Sequence, residues 1–67
     1  MGSTYKKIEV VGTSSTGVTD AIESAIAKAA ETVHNMRWFE VVETRGNIQD
    51  GKVGQYQVTL KVGFRLE

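Results

Sequence analysis

Two side chains of this sequence, Trp38 and Gln57, have the chemistry to recognise a flat heterocyclic ring. Trp38 is the only tryptophan of the chain, and Gln57 lies in a stretch of alternating apolar residues near the C-terminus. An indole offers a plane on which a ring can stack, and a primary amide offers an acceptor and two donors to a polar rim. Taken singly, Trp38 reads more readily as a packing aromatic and Gln57 as a solvated strand residue.

Length and composition exclude several ways of stabilising so small a protein. A chain of 67 residues has room for one domain, residues 1–67, whose core is marginal when the chain stands alone. Because the chain has no cysteine, disulfides are excluded. A single histidine and no cysteine also argue against a structural zinc site. Self-association is therefore the expected source of stability.

The charge balance argues against polyanionic partners. Eight basic and eight acidic side chains give a formal net charge of zero, so the long-range field that attracts nucleic acid or an anionic membrane is missing. The apolar runs are far shorter than the roughly 20 residues that span a bilayer, and no basic-then-apolar leader opens the chain. We expect a cytoplasmic protein that binds neither nucleic acid nor membrane.

The first half of the chain predicts a strand followed by a helix. Alternation over Tyr5–Val11 predicts the strand. The segment 12–17 carries turn and capping residues but lacks the Gly-Lys-Ser/Thr ending of a P-loop, so a turn with a helix cap is favoured over a phosphate cradle. Apolar residues at three- and four-residue spacing then predict a helix from Val18 that ends near His34 and Asn35.

The second half predicts a hairpin, which gives the element order β-α-β-β. A strand from Arg37 to Ile48 and a strand from Tyr56 to Leu66 flank Asp50-Gly51, a strong signal for a two-residue turn. If Gln49 and Lys52 flank that turn, an uninterrupted register between the strands follows.

That register predicts which hairpin residues are neighbours. It pairs Trp38 with Gly63, Glu40 with Lys61 and Gln57 with Thr44. Trp38 and Gln57 are then roughly 20 Å apart in one subunit. A ligand that contacts both side chains is therefore more easily bound between subunits.

The register also divides the hairpin between two faces. Phe39 and Val41 share a face with Leu60 and Val62, and we expect the apolar stripe of the helix to cover this face. Trp38 and Gln57 lie on the other face.

Five segments of the chain resemble the dodecins, a family of small flavin-binding proteins, in order and in spacing. The segments are Val11-Gly12-Thr13-Ser14, Trp38-Phe39-Glu40-Val41, Arg45-Gly46, and Tyr56-Gln57-Val58 followed by Val62-Gly63-Phe64-Arg65. The resemblance implies an α+β subunit in which a three-stranded antiparallel sheet wraps around one helix. It further implies that twelve copies form a hollow homododecamer.

The resemblance also implies a ligand and its site. Flavins lie in pairs at two-fold axes between the Trp38 side chains of neighbouring subunits, and Gln57 hydrogen-bonds the isoalloxazine edge. FMN is the expected cofactor, with riboflavin as the second choice. A flavin covered on both faces leaves no open side for a substrate, so we expect storage, protection and photochemical quenching, with no catalytic residue. The alternatives are a flavin-dependent electron-transfer enzyme and a structural shell without a dedicated ligand.

Charged residues outside this pair carry less specific expectations. The resemblance implies that Lys6, Arg45 and Arg65 hold the phosphate of FMN through charge-assisted hydrogen bonds. The alternative role of these three residues is in ion pairs between subunits, with Glu43 or Glu67. The resemblance implies a weaker second site for coenzyme A, bordered by Tyr5, Lys28 and His34. No metal-binding site is expected from ligand spacing.

Overall fold

The computed structural model describes residues 2–67, which form a three-stranded antiparallel sheet and one helix. The elements are β1 (Tyr5–Ser14), α1 (Val18–Ala29), β2 (Met36–Gln49) and β3 (Lys52–Arg65). The strands lie in the order β1-β3-β2, so β3 is central. The predicted β-α-β-β order and α+β class are confirmed.

Helix α1 is shorter than predicted, because it ends at Ala29 and not near His34 and Asn35. The carbonyl of Ala29 accepts hydrogen bonds from the backbone N–H of Thr32 at 3.1 Å and of Val33 at 2.8 Å, which ends the helix in tight turns. Val33 fits the apolar spacing, but Thr32 and Val33 are β-branched and favour a helix only weakly. Asn35 then adopts a positive φ of 62° and leads the chain into β2.

The turn between β1 and α1 is organised by Ser14, which is buried. Its hydroxyl oxygen accepts hydrogen bonds from the backbone N–H of Thr16 at 2.9 Å and of Gly17 at 3.3 Å. The same hydroxyl donates to the carboxylate of Asp20 at 2.7 Å. β1 therefore continues three residues beyond the predicted Val11, and the helix begins after a short turn.

The core lies between α1 and the two strands β1 and β3. Val58, Leu60 and Val62 of β3 are buried against Ala21 and Ala25 of the helix. The small alanines allow a close approach, since a methyl group at Gly12 of β1 would overlap the carbonyl oxygen of Ala21 and lie 2.8 Å from Cβ of Ala25. The core is therefore small, and it is thin because the helix lies close to the sheet.

The helix leaves most of β2 uncovered, although Met36 at its start packs against the core, so the prediction that the helix covers Phe39 and Val41 is wrong. Each of these side chains is 46% exposed. The physical reason is width: a helix about 10 Å across covers only about two strands spaced at about 4.8 Å. With β3 in the centre, the two covered strands are β1 and β3.

The register of the hairpin is interrupted at three points, and two of the interruptions cancel. Gln49 pairs with Lys52 as predicted, and Asp50 and Gly51 have positive φ values of 54° and 74°, as a type I′ turn requires. Gly54 is then an extra residue on β3, and Val42 is an extra residue on β2. The predicted pairs beyond Val42 are therefore correct, whereas those between the two bulges are displaced by one residue.

The protomer is elongated, with principal extents of 54 × 20 × 13 Å. Pairing between β1 and β3 ends at Ser14 and Tyr56, so the hairpin continues beyond the sheet as a two-stranded ribbon that carries the 82% exposed Ile48. The large apolar side chains that remain exposed are Tyr5, Val11, Trp38, Phe39, Val41, Val42, Ile48, Val53 and Leu66. Apolar surface of this extent on so small a protomer is typical of a chain that other chains cover.

Candidate functional site

Trp38 lies flat against the sheet, on the face away from the helix. It is paired with Gly63 of β3, and a methyl group at Gly63 would overlap three atoms of the six-membered indole ring, Cε2, Cζ2 and Cη2. One face of the indole is therefore covered by the backbone of the central strand. The side chain is still 40% exposed, so a planar surface remains available.

The indole also contacts Tyr5 of β1. The two ring centroids are 5.4 Å apart with an interplanar angle of 61°, which is an edge-on arrangement favoured by aromatic quadrupoles. Tyr5 and Trp38 come from the two outer strands, so they meet across β3. Sequence reasoning missed this contact because it requires the strand order β1-β3-β2, which the local pattern did not supply.

Gln57 forms a hydrogen bond with Arg45, and not the predicted pair with Thr44. Arg45 lies opposite Gln57, and its Nε donates to Oε1 of Gln57 at 2.9 Å. The prediction was wrong because Gly54, which lies between the turn and Gln57, is an extra residue on β3 and moves Gln57 from Thr44 to Arg45. The bulge at Val42 restores the predicted register farther along the hairpin. Since a guanidinium only donates, the amide oxygen of Gln57 faces Arg45 and its NH₂ group points elsewhere.

Trp38 and Gln57 are far apart within the protomer, as predicted. Gly63, the partner of Trp38, is six residues along β3 from Gln57, which corresponds to about 20 Å. The bulge at Val42 does not change this separation along β3. One protomer therefore does not bring both side chains to a single small ligand.

The three candidate phosphate-binding residues are not gathered in one place. Arg65 is exposed and pairs with Tyr5, on the face that carries Trp38. Lys6 is exposed and pairs with Phe64, so it lies on the opposite face of the sheet. Arg45 lies beside Gln57, toward the ribbon end of the hairpin. In one protomer only Arg65 is a near neighbour of the indole along the strands.

A charged pair that sequence reasoning missed lies beside the indole. The ammonium of Lys7 donates a short hydrogen bond to the carboxylate of Glu40, which reaches across β3. This hydrogen bond, together with the charge of Lys7 and a smaller effect of Lys61, lowers the pKa of Glu40. The predicted neighbours Glu40 and Lys61 are paired in the register, but the contact of Glu40 is with β1.

The residues predicted to border coenzyme A do not form one surface. Tyr5 lies against Trp38 on the face away from the helix, whereas Lys28 lies on the helix and pairs with Glu31 at 3.4 Å. Neither the structure nor the similarities below support a site for coenzyme A, which stays a prediction from resemblance.

Within residues 2–67 no group of three His, Cys, Asp or Glu side chains lies close enough together to hold a metal ion. In that same part of the chain no helix has the length and apolar character needed to cross a membrane.

Comparisons with known proteins agree with the fold. The family model described as Dodecin matches residues 4–67. The dodecin of Thermus thermophilus is 54% identical over 67 residues, which is 100% of this chain and 97% of the relative. A crystal structure of a T. thermophilus protein superposes with a TM-score of 0.95 at 53% identity, covering 98% of this chain and 97% of the other.

A more distant structure extends the comparison to a relative that is named for calcium. It is the calcium dodecin of Mycobacterium tuberculosis, described as calcium chelating with a novel calcium-binding site. Its TM-score is 0.82 at 31% identity, and the match covers 96% of this chain and 91% of that one. The resemblance inferred from the sequence is thus confirmed by the family model, by a curated relative and by solved structures, and this chain belongs to the dodecin family.

Proposed function

We propose that this protein binds and stores a flavin, FMN or riboflavin, stacked between the Trp38 side chains of neighbouring copies in a homododecamer. Family membership supports a small flavin-binding protein that assembles from copies of itself. The observation that carries the proposal for this chain is the indole of Trp38, which is flat on Gly63 and 40% exposed. In this proposal residues 1–67 form one flavin-binding domain.

The geometry of Trp38 favours a ligand shared by two copies. Because Gly63 covers one face of the indole, each protomer offers a single stacking face. A planar ligand that is covered on both sides therefore requires a second indole from another copy. Stacking of a flat heterocycle on an aromatic side chain stabilises by about 1–3 kcal/mol for each contact.

The polar groups fit the rim of the same ligand. A flavin supplies a flat tricycle with carbonyl oxygens and ring nitrogens along one edge, together with its redox and light-absorbing chemistry. Arg45 holds the amide oxygen of Gln57, so Gln57 directs its NH₂ donors toward an acceptor on that edge. Because Gln57 and Trp38 are about 20 Å apart along the strands, Gln57 would act on a ring stacked on the indole of a neighbouring copy.

The cationic residues account for a preference for FMN. Arg65 pairs with Tyr5 on the face of the sheet away from the helix, which also carries Trp38. Its guanidinium can hold a phosphate through paired hydrogen bonds. Arg45 keeps further N–H groups free beside Gln57. Lys6 lies on the other face of its own sheet, so it would reach this ligand only from a neighbouring copy.

Storage is favoured over catalysis because both faces of the ligand are covered. A substrate has no side from which to approach the reactive atoms of a ring held between two indoles. Dodecins are in general binding proteins and not enzymes, which agrees with this proposal.

The test is a titration of apoprotein with riboflavin, FMN and FAD, followed by flavin fluorescence intensity and lifetime. We expect strong quenching at one flavin for each Trp38, and loss of most of the affinity in Trp38→Ala. Ile48→Ala is the matched control, because Ile48 is a large exposed side chain at the far end of the hairpin. Size-exclusion chromatography checks that each variant still assembles.

Four results would contradict the proposal in different ways. Unchanged affinity in Trp38→Ala would remove the indole from the site. A bound-flavin lifetime equal to that of free flavin would reject the quenching role. Rapid reduction of bound flavin by a nicotinamide donor would favour an electron-transfer enzyme, and an assembly that ignores all three flavins would favour a structural shell.

A further inference from the structure

We infer that Gly63 and Tyr5 are positioning residues that fix the plane of the Trp38 indole before any ligand binds. The inference rests on the proposed function, since the fixed plane is the surface on which the flavin would stack. It adds two residues that contact the indole and are not required to touch the ligand.

Gly63 allows the indole to lie on the central strand. In the row across the sheet, Lys7 of β1 and Trp38 of β2 both pair with Gly63 of β3. Any side chain at position 63 would rise between them on the face where the indole lies. The overlap of a methyl group with three ring atoms shows that the ring rests directly on the backbone of Gly63. Alanine here would therefore tilt the indole away from the sheet.

Tyr5 limits the remaining rotation of the Trp38 indole about its side-chain bonds. The gap above Gly63 lets the indole from β2 reach the phenol ring of Tyr5 on β1, at a centroid distance of 5.4 Å. An edge-on contact restricts rotation of the indole about its side-chain bonds, because tilting the ring would break the aromatic pair. With the backbone of Gly63 against one face and the phenol ring of Tyr5 in contact with it, the indole keeps one orientation.

A fixed plane matters for binding because a mobile indole has to be ordered when the ligand arrives. Ordering one such side chain costs enough to weaken binding by about threefold to tenfold. We therefore expect Tyr5→Ala to weaken flavin binding by about that factor, although the indole itself is intact. Gly63→Ala displaces the plane itself, and we expect a loss of at least about tenfold.

The sole tryptophan makes a direct test possible. Fluorescence anisotropy decay of the apoprotein, excited at the red edge of the tryptophan band, reports the motion of Trp38 alone. We compare wild type with Tyr5→Ala, Tyr5→Phe, Gly63→Ala and Gly17→Ala, and then titrate each with FMN. Tyr5→Phe keeps the aromatic edge, and Gly17→Ala adds the same methyl group where nothing lies within 4 Å.

The expected result is faster indole motion and weaker FMN binding in Tyr5→Ala, with both restored in Tyr5→Phe. Gly63→Ala should change the anisotropy decay and binding while Gly17→Ala changes neither. Unaltered anisotropy in Tyr5→Ala would overturn the inference, and this holds even if Gly63→Ala fails to fold. Because anisotropy is read without ligand, a wild-type protein that ignores FMN would refute the proposed function and leave the positioning of the indole as a separate result.

Discussion

Replacement of Gly12 by alanine tests whether the helix is seated on β1 as closely as the structure shows. The added methyl group would overlap the carbonyl oxygen of Ala21 and lie 2.8 Å from Cβ of Ala25, where ordinary contacts begin near 3.4 Å. Ala21 is completely buried. Both obstacles belong to the helix itself, one of them to its backbone, so no flexible side chain can move aside. The helix has to retreat from the strand.

The size of the effect follows from the thin core. Overpacking of this kind costs about 1–3 kcal/mol, and a helix that moves away as a body favours the upper end. A domain of this length has a total stability of roughly 3–10 kcal/mol. Gly12→Ala is therefore expected to remove about a third or more of the free energy of unfolding.

The assay is urea-induced unfolding, followed by far-ultraviolet circular dichroism and by the fluorescence of Trp38. Each variant is measured at two protein concentrations, because assembly adds stability that depends on concentration. Gly17→Ala is the control, since its methyl group enters open space. Equal midpoints for Gly12→Ala and Gly17→Ala would refute the close seating of the helix.

Three further predictions concern other contacts. Since Lys7 lowers the pKa of Glu40, this pair stabilises the fold above the usual carboxyl pKa, and the stabilisation is lost as the pH falls through the lowered pKa. Thermal unfolding measured from neutral to acidic pH should therefore show a smaller loss of stability in Glu40→Gln than in wild type. The difference between the two proteins should be smaller in high salt. Gly51→Ala should destabilise the hairpin by about 1 kcal/mol because φ is positive at this position, whereas Asp50→Asn should be tolerated. The measurement is the midpoint of urea-induced unfolding of each variant compared with wild type. Gln57→Leu should weaken FMN binding by about tenfold through the lost hydrogen bond without changing the size-exclusion profile, and equal affinity would remove Gln57 from the site.

Sequence reasoning succeeded where a local pattern determines the structure. Asp50-Gly51 predicted a tight turn, and both residues have the positive φ that such a turn needs. The pairings of Trp38 with Gly63 and of Glu40 with Lys61 followed from it and are confirmed. The separation of Trp38 from Gln57 also agrees with the structure, because bulges barely change distances along a strand.

The incorrect predictions depend on how the helix and strands pack against one another, which a local sequence pattern does not determine. The strand order β1-β3-β2 leaves Phe39 and Val41 outside the helix and brings Tyr5 to Trp38. Alternation within one strand contains no information about which strand lies beside it. The two bulges were hidden for a related reason: they cancel, so the pairs on either side of them agreed with an uninterrupted register while Gln57 lay opposite Arg45.

The bulge at Val42 also affects how insertions and deletions in β2 would act. In a regular strand, residues an odd number of positions apart face opposite sides of the sheet. Trp38 and Arg45 are separated by an odd number of positions, yet both are aligned with β3 residues that face away from the helix. A chain that lost position 42 would have a regular strand and would still display both side chains on that surface. A chain that gained a residue elsewhere in this stretch would need a second bulge or would turn Arg45 toward the other side. Related proteins can therefore differ in the length of this strand at position 42 while they keep the same chemistry along it.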